Sequence, residues 1–235
     1  MNCFSHAYRF LDRDPYFIVG TCVPDWLSMV ARKTRAREKL ASRFTDDDDS
    51  ELRHLAAGIV RHHRDDHWFH EQREFVETNL QFAMELRDLL GADAGFRPHL
   101  AGHILIEMLL DGFLTEQDKW LLDDYYDKVA SVDPAKVENA VNLIAAKPTD
   151  RIADFLPVFL KEGYLYDYVD DQRTQYRLNR VLKAVKLAEL PEAFLSWLPT
   201  ARERVYKLAP VMLTPPPPHT ENGVFHPTAN PEGES

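Results

Sequence analysis

The stretch LIEMLLDGF, Leu105 to Phe113, decides the fold. Its apolar residues Leu105, Met108, Leu109 and Phe113 recur at i, i+3, i+4 and i+8. That spacing marks one face of an α-helix and not the alternation of a strand. It returns at Val137, Val141 and Ile144, and again at Leu178, Val181, Leu182 and Val185. The chain has only nine glycines, and strand-like alternation between turn signals is hard to find. The expected fold is all-α, a compact single-domain helical bundle.

Working outward, the breaks come from proline, glycine and aspartate. Asp14-Pro15 and Pro24 are expected to interrupt the N-terminal region. One long helix is predicted from near Glu51 to a stop at Gly91–Gly95, and Pro98 opens the next. Asp133-Pro134 fits an N-cap with proline at the first helical position. Pro148-Thr149 separates another pair, and Leu190-Pro191 begins the last helix. From Thr214 the composition changes: Pro215 to Pro218 are consecutive, Pro227 and Pro231 follow, and lysine and arginine are missing. Such a segment buries too little apolar surface to offset its ordering entropy. The domain is therefore expected over residues 1–213, with 214–235 a disordered, extended proline-rich tail.

Composition sets outer bounds. Of 235 residues, 45% are hydrophobic and 28% charged, a globular balance. A net charge of −10 argues against general nucleic-acid binding, which needs a basic surface. Cys3 and Cys22 are too few for a disulfide scaffold. No apolar run reaches the roughly 18–20 residues of a membrane span. The start MNCFSHAYRF lacks the pattern of a secretory signal, so a cytoplasmic protein is expected. The charge is uneven, however. Arg32, Lys33, Arg35, Arg37, Lys39 and Arg43 face one acid, Glu38, and four acids follow at Asp46–Asp49. This reads either as a solvated surface with an acidic turn or as a docking patch for an acidic or phosphorylated partner.

Histidine is the informative residue. Of ten, eight lie between His6 and His103, none between Ile104 and Pro218, and His219 and His226 fall in the tail. Metal or acid–base chemistry is therefore expected in the first half of the fold. In GIVRHHRDDHWFH, Gly58 to His70, the residues His62, Asp66 and His70 stand at i, i+4, i+8. Each step of four turns only about 40° around a helix axis, so the three share a face. His63 and His67 form a second pair about 100° away, and both stripes cannot face one centre. His103, Glu107 and Asp111 repeat the spacing inside the apolar HILIEMLLD, where an unpaired ionisable group would be costly to bury. A metal facing a second histidine–carboxylate helix would compensate; the other reading is the wet face of an amphipathic helix. His6 and Asp25 are ligand candidates with structural alternatives, a core hydrogen bond and a cap. The chain has no GxSxG, GxGxxG, Walker or HExxH motif.

These residues carry a resemblance. Met1-Asn2-x-Phe4-x-His6, the segment Val19-Gly20 to Asp25, Gly58-Ile59 with His62 and Asp66, the pair Glu107 and Asp111, and the later Arg180-Val181-Leu182 are together similar to the acyl-carrier-protein phosphodiesterase family, a divergent branch of the HD-type metal phosphohydrolases. The match spreads over most of residues 1–210 through short motifs. His70 stands where that family usually has an acid, Gly112 where it has histidine, and Glu107 where it has aspartate. Gly20-x-x-x-Pro24-Asp25 and His103-x-x-x-Glu107 also resemble the zinc-dependent phospholipase C and P1 nuclease group.

Both resemblances imply an all-α, metal-dependent phosphodiester hydrolase. The implied fold is HD-domain-like. The expected ligands of a divalent metal (Mn, Fe or Zn) are His6, Asp25, His62, Asp66 and Asp111, followed by His103, Glu107 and His70. Glu107 or His63 is expected to orient or deprotonate the attacking water. Arg61 and Arg64 are the expected phosphate binders. The nearer resemblance implies the phosphopantetheine link of an acyl carrier protein as substrate. Because such partners are acidic, the Arg32–Arg43 patch would have to dock them. A second class of function is a non-catalytic helical interaction protein, its proline-rich tail serving as a polyproline II ligand.

Overall fold

The computed structural model describes residues 1–90 and 97–216. The described elements are helices without strands: α1 (Cys3–Ala7) running into a 3₁₀ turn (Tyr8–Phe10), α2 (Pro15–Val30), α3 (Glu38–Ala41), α4 (Ser50–Glu71), α5 (Arg73–Leu90), α6 (Pro98–Gln117), α7 (Lys119–Ala130), α8 (Pro134–Ile144), α9 (Ile152–Glu162), a 3₁₀ segment (Tyr164–Val169), α10 (Asp171–Ala184) and α11 (Ala193–Met212). One continuous hydrophobic core joins residues from Met1 to Leu213. The all-α reading holds. Among the described residues, no helix is long and apolar enough to cross a membrane.

Aspartates start many of these helices. Asp14 accepts from the Tyr16 amide, Asp49 from Glu51 and Leu52, Asp118 from Trp120, Asp133 from Ala135 and Lys136, and Asp170 from Arg173. Each such cap contributes on the order of 1 kcal/mol. The acidic run Asp46–Asp49 thus has a local role at its end: Asp49 caps α4, while Asp47 accepts from the Asp49 amide.

Two expected breaks fall elsewhere. Pro24 lies inside α2 and does not interrupt it. Phe17, Ile18, Val19, Cys22, Val23, Trp26 and Leu27 are all buried, and that burial outweighs the one helical hydrogen bond that proline cannot donate. The long helix expected from Glu51 is two helices. Gln72 adopts φ −63° and ψ 137°, which ends α4 and lets α5 begin at Arg73. Phe69 and Phe75, one on each side of the break, pack their rings 4.7 Å apart in the core. The Gln72 side chain donates to the Met212 carbonyl, tying the break to α11. The expected stop at Gly91–Gly95 and the tail beyond residue 216 lie outside the described residues.

α2 and α4 form the main helix pair, α5 packs on α6, and α6 also meets α11 and the 164–169 segment. α1 sits among α2, α4, α6 and α7. Its N-terminus is capped from a distance: the buried Asp111 carboxylate of α6 accepts from the amides of Phe4 and Ser5 and from the Ser5 hydroxyl. This fixes Met1 and His6 against α4 and α6.

Candidate metal centre

Gly20 and Gly58 let α2 and α4 approach closely; a β-carbon on Gly20 would stand 3.0 Å from the Gly58 Cα. One turn beyond Gly58, His62 donates from Nδ1 to the Thr21 carbonyl at 2.8 Å. A carbonyl only accepts, so the Nδ1 proton is fixed and the Nε2 lone pair is available. Nε2 lies 3.3 Å from Asp66 Oδ2 and 4.0 Å from Asp25 Oδ1. His6 is buried with its ring 4.2 Å from that of His62; its Nε2 is 3.3 Å from Asp66 Oδ1 and 3.1 Å from the Met1 carbonyl. Donor atoms of His6, Asp25 and His62 all lie within 4.8 Å of one another.

A second set faces it. His70 Nε2 and His103 Nε2 lie 3.0 and 3.1 Å from Glu107 Oε1, and donor atoms of these three residues again fall within 4.8 Å of one another. The Met1 ammonium stands between the sets, 2.7 Å from Asp66 Oδ1 and 3.0 Å from Glu107 Oε1. Burial works against this charge, but Glu107 and Asp66 outweigh it and raise the amine to about 11. Burial likewise opposes ionisation of Glu107 and Asp66. The ammonium and the neighbouring histidines nonetheless hold both carboxyls well below their usual range. Burial pushes Asp25 up to about 7, opposed by His62 and reinforced by the charge of Asp66.

The donor chemistry fits a divalent cation. Imidazole nitrogens and several carboxylate oxygens converge there, and among the described residues the Met1 ammonium is the fixed cation in contact with both Asp66 and Glu107. His6 Nδ1 is buried without a hydrogen bond, 3.6 Å from Asp65 Oδ2. A proton on Nδ1, facing Asp65, would free Nε2 for a cation in place of its contact with the Met1 carbonyl. The residues that could hold cations are therefore His6, Asp25 and His62 with Asp66 on one side, and His70, His103 and Glu107 on the other.

The other sequence-derived candidates lie around this centre. Asp111 belongs to neither set; it caps α1, and burial raises its carboxyl to about 6 against hydrogen bonds from Ser5 and Phe4. His63 turns away, its Nε2 2.7 Å from the Ala36 carbonyl, and burial lowers its pKa. Arg61 grips Asp65 and lies over the Phe10 ring at 4.8 Å. Arg64 is exposed and pairs with Glu38. At Gly112 a β-carbon would stand 2.6 Å from the Tyr168 carbonyl, so the histidine found there in the resembling family has no room.

Asp65 escaped the sequence reading. It is buried, held by Arg61 and Trp68 and facing His6, and these partners keep its carboxyl low despite burial. The Arg61–Asp65 i, i+4 spacing was the available signal. Cys3 and Cys22 are buried and free, burial raises both thiols, and Cys3 Sγ lies 3.8 Å from Asp25 Oδ2.

A cavity of about 260 Å³ opens beside the centre, with Asp25 and Glu107 in its wall. Arg177 and Arg180 of α10 also line it, whereas Arg61 and Arg64 do not. Comparison of the chain with protein-family models, with curated proteins and with solved structures finds no match.

Proposed function

We propose that the chain is a metal-dependent phosphodiester hydrolase. The carrying observation is the pairing of two histidine–carboxylate sets, one from α1, α2 and α4 and one from α4 and α6, at the edge of a cavity. Four carboxylates, Asp25, Asp65, Asp66 and Glu107, gather around one ammonium and four imidazoles. Such a concentration of charge calls for cations. A bound divalent ion would polarise a phosphoryl oxygen and acidify a water.

The chain's own residues supply placement. Thr21 orients His62, Asp65 faces His6 Nδ1 at 3.6 Å, Asp66 spans the two histidines, and Asp111 holds α1 so that His6 stays in register. Arg177 is fixed by Asp167 at 2.7 Å and Glu162 at 3.0 Å, and Arg180 reaches Glu162 only at 4.0 Å. Of the two, Arg180 has the looser ion pair with which to meet a substrate anion.

The acidic carrier protein implied by the resemblance has a surface to meet. All six basic residues from Arg32 to Arg43 are exposed, and the His63 bond to Ala36 pins their segment to α4 beside His62. Metal content by elemental analysis tests the reading, with wild type and Asp66→Ala purified without chelator or histidine tag. Retained metal, lost in the variant, together with metal-dependent hydrolysis of bis(p-nitrophenyl) phosphate, supports it. A wild type that neither holds nor takes up Mn, Zn or Mg overturns it and leaves a helical binding protein.

A further inference from the structure

The cavity beside the metal centre is lined mostly by apolar surface, with carboxylates of the centre among the lining groups. Asp25 and Glu107 contribute one carboxylate from each cation-binding set. Around them stand Met29 of α2, Ile104 and Met108 of α6, Phe155 and Val158 of α9 and Val181 of α10. Met29 and Val158 are 42% and 52% exposed, although most side chains of their size pack into the core. Large apolar groups left wet beside a charged centre are the mark of a binding pocket, where a few polar groups set orientation and apolar walls supply contact.

We infer that this cavity takes an apolar organic group carried by the phosphoester substrate, an aryl or branched alkyl group of roughly ten carbons. The inference rests on the hydrolase reading, because Asp25 and Glu107 belong to its metal centre. Size supports it: a dry cavity of about 150 Å³ accommodates benzene, and this one, at about 260 Å³, has room for a fused two-ring group. The arrangement discriminates against substrates whose ester group is small or strongly hydrated. Filling the pocket displaces water from a mostly apolar lining, whereas a sugar or glycerol group would give up hydration there with Ser28, Glu162, Arg177 and Arg180 among the polar groups left to meet its hydroxyls. Val158 lines the cavity and is half exposed, so its size can be varied there. Its exposure also makes it tolerant of substitution.

The test is calorimetric titration of the full chain, loaded with Zn, with 1-naphthylphosphonate and methylphosphonate, which carry the same anion and cannot be hydrolysed. The naphthyl compound is expected to bind at least tenfold more tightly. Val158→Trp, taking up cavity space, should remove that advantage while leaving methylphosphonate binding and the melting temperature unchanged. Val158→Ala should keep the advantage. Equal affinities in wild type, or an advantage that survives Val158→Trp, overturn the inference. If the chain holds no metal and neither phosphonate binds, the hydrolase reading fails separately, and 1-naphthol then reads the pocket alone. Naphthol binding lost in Val158→Trp upholds the apolar pocket, and absence of naphthol binding overturns it.

Discussion

Gly20 of α2 and Gly58 of α4 meet backbone to backbone: a β-carbon on Gly58 would stand 2.8 Å from the Gly20 Cα. That approach is what puts His62 within reach of the Thr21 carbonyl and Asp25, so the helix crossing and the candidate metal centre are one construction. Gly58→Ala is expected to cost about 3 kcal/mol, because the methyl group meets backbone that cannot rotate away. Urea unfolding would show the loss. The variant should also lose metal affinity, and a stable Gly58→Ala with unchanged metal content would refute this coupling.

Metal should stabilise the fold by mass action. At a free metal concentration one hundredfold above Kd, the gain is about 2.7 kcal/mol for a single site. Since His70, His103 and Glu107 form a set of their own, Glu107→Gln should lower metal stoichiometry without abolishing it. Asp66→Asn should weaken the set around His6 and His62. Elemental analysis with thermal melts of both variants checks this; loss of all metal in Glu107→Gln would mean that the two sets fill only together.

Arg61 and Arg64 should behave differently. Arg61→Met removes the main partner of the buried Asp65 carboxylate, an expected loss of about 2 kcal/mol. Arg64 and Glu38 are both largely exposed, so Arg64→Met should stay within about 0.5 kcal/mol. Chemical denaturation measures both. A stable Arg61→Met with reduced kcat/KM would instead assign Arg61 to substrate phosphate.

The Asp111 carboxyl gives a pH signature. Burial raises its pKa from 3.8 to about 6, so between those values the folded chain binds the proton more tightly than the unfolded chain does. Stability contributed by this group is therefore greatest below about pH 4 and falls as pH rises through 6. The span is worth about 3 kcal/mol. Asp111→Asn, measured by urea unfolding in chelator, should cost about that much less at pH 7.5 than at pH 4. A cost independent of pH would contradict the burial argument.

The sites of the helices were legible because their signals are local. The i, i+3, i+4 spacing at Leu105–Phe113, the Asp133-Pro134 start and the Pro98 start each act within a turn or two of chain. Pro24 and Gln72 show where local reading stops. A proline usually breaks a helix, but α2 is buried along most of its length and continues through it. Nothing at Gln72 marks a break in sequence; the bend answers to Phe69, Phe75 and the contact with Met212.

The sequence by itself determined an all-helical chain whose histidines crowd into its first half, because helical periodicity and residue chemistry need no knowledge of neighbours. Only the tertiary structure decided which of them meet. His62 and His63 are adjacent and chemically equal, yet one faces Asp25 and Asp66 and the other the Ala36 carbonyl. Asp65 and Asp66 divide in the same way between holding Arg61 and joining the centre. A helix fixes the angles between its side chains but not its own rotation. The contact of Gly20 with Gly58 and the capping of α1 by Asp111 set that rotation.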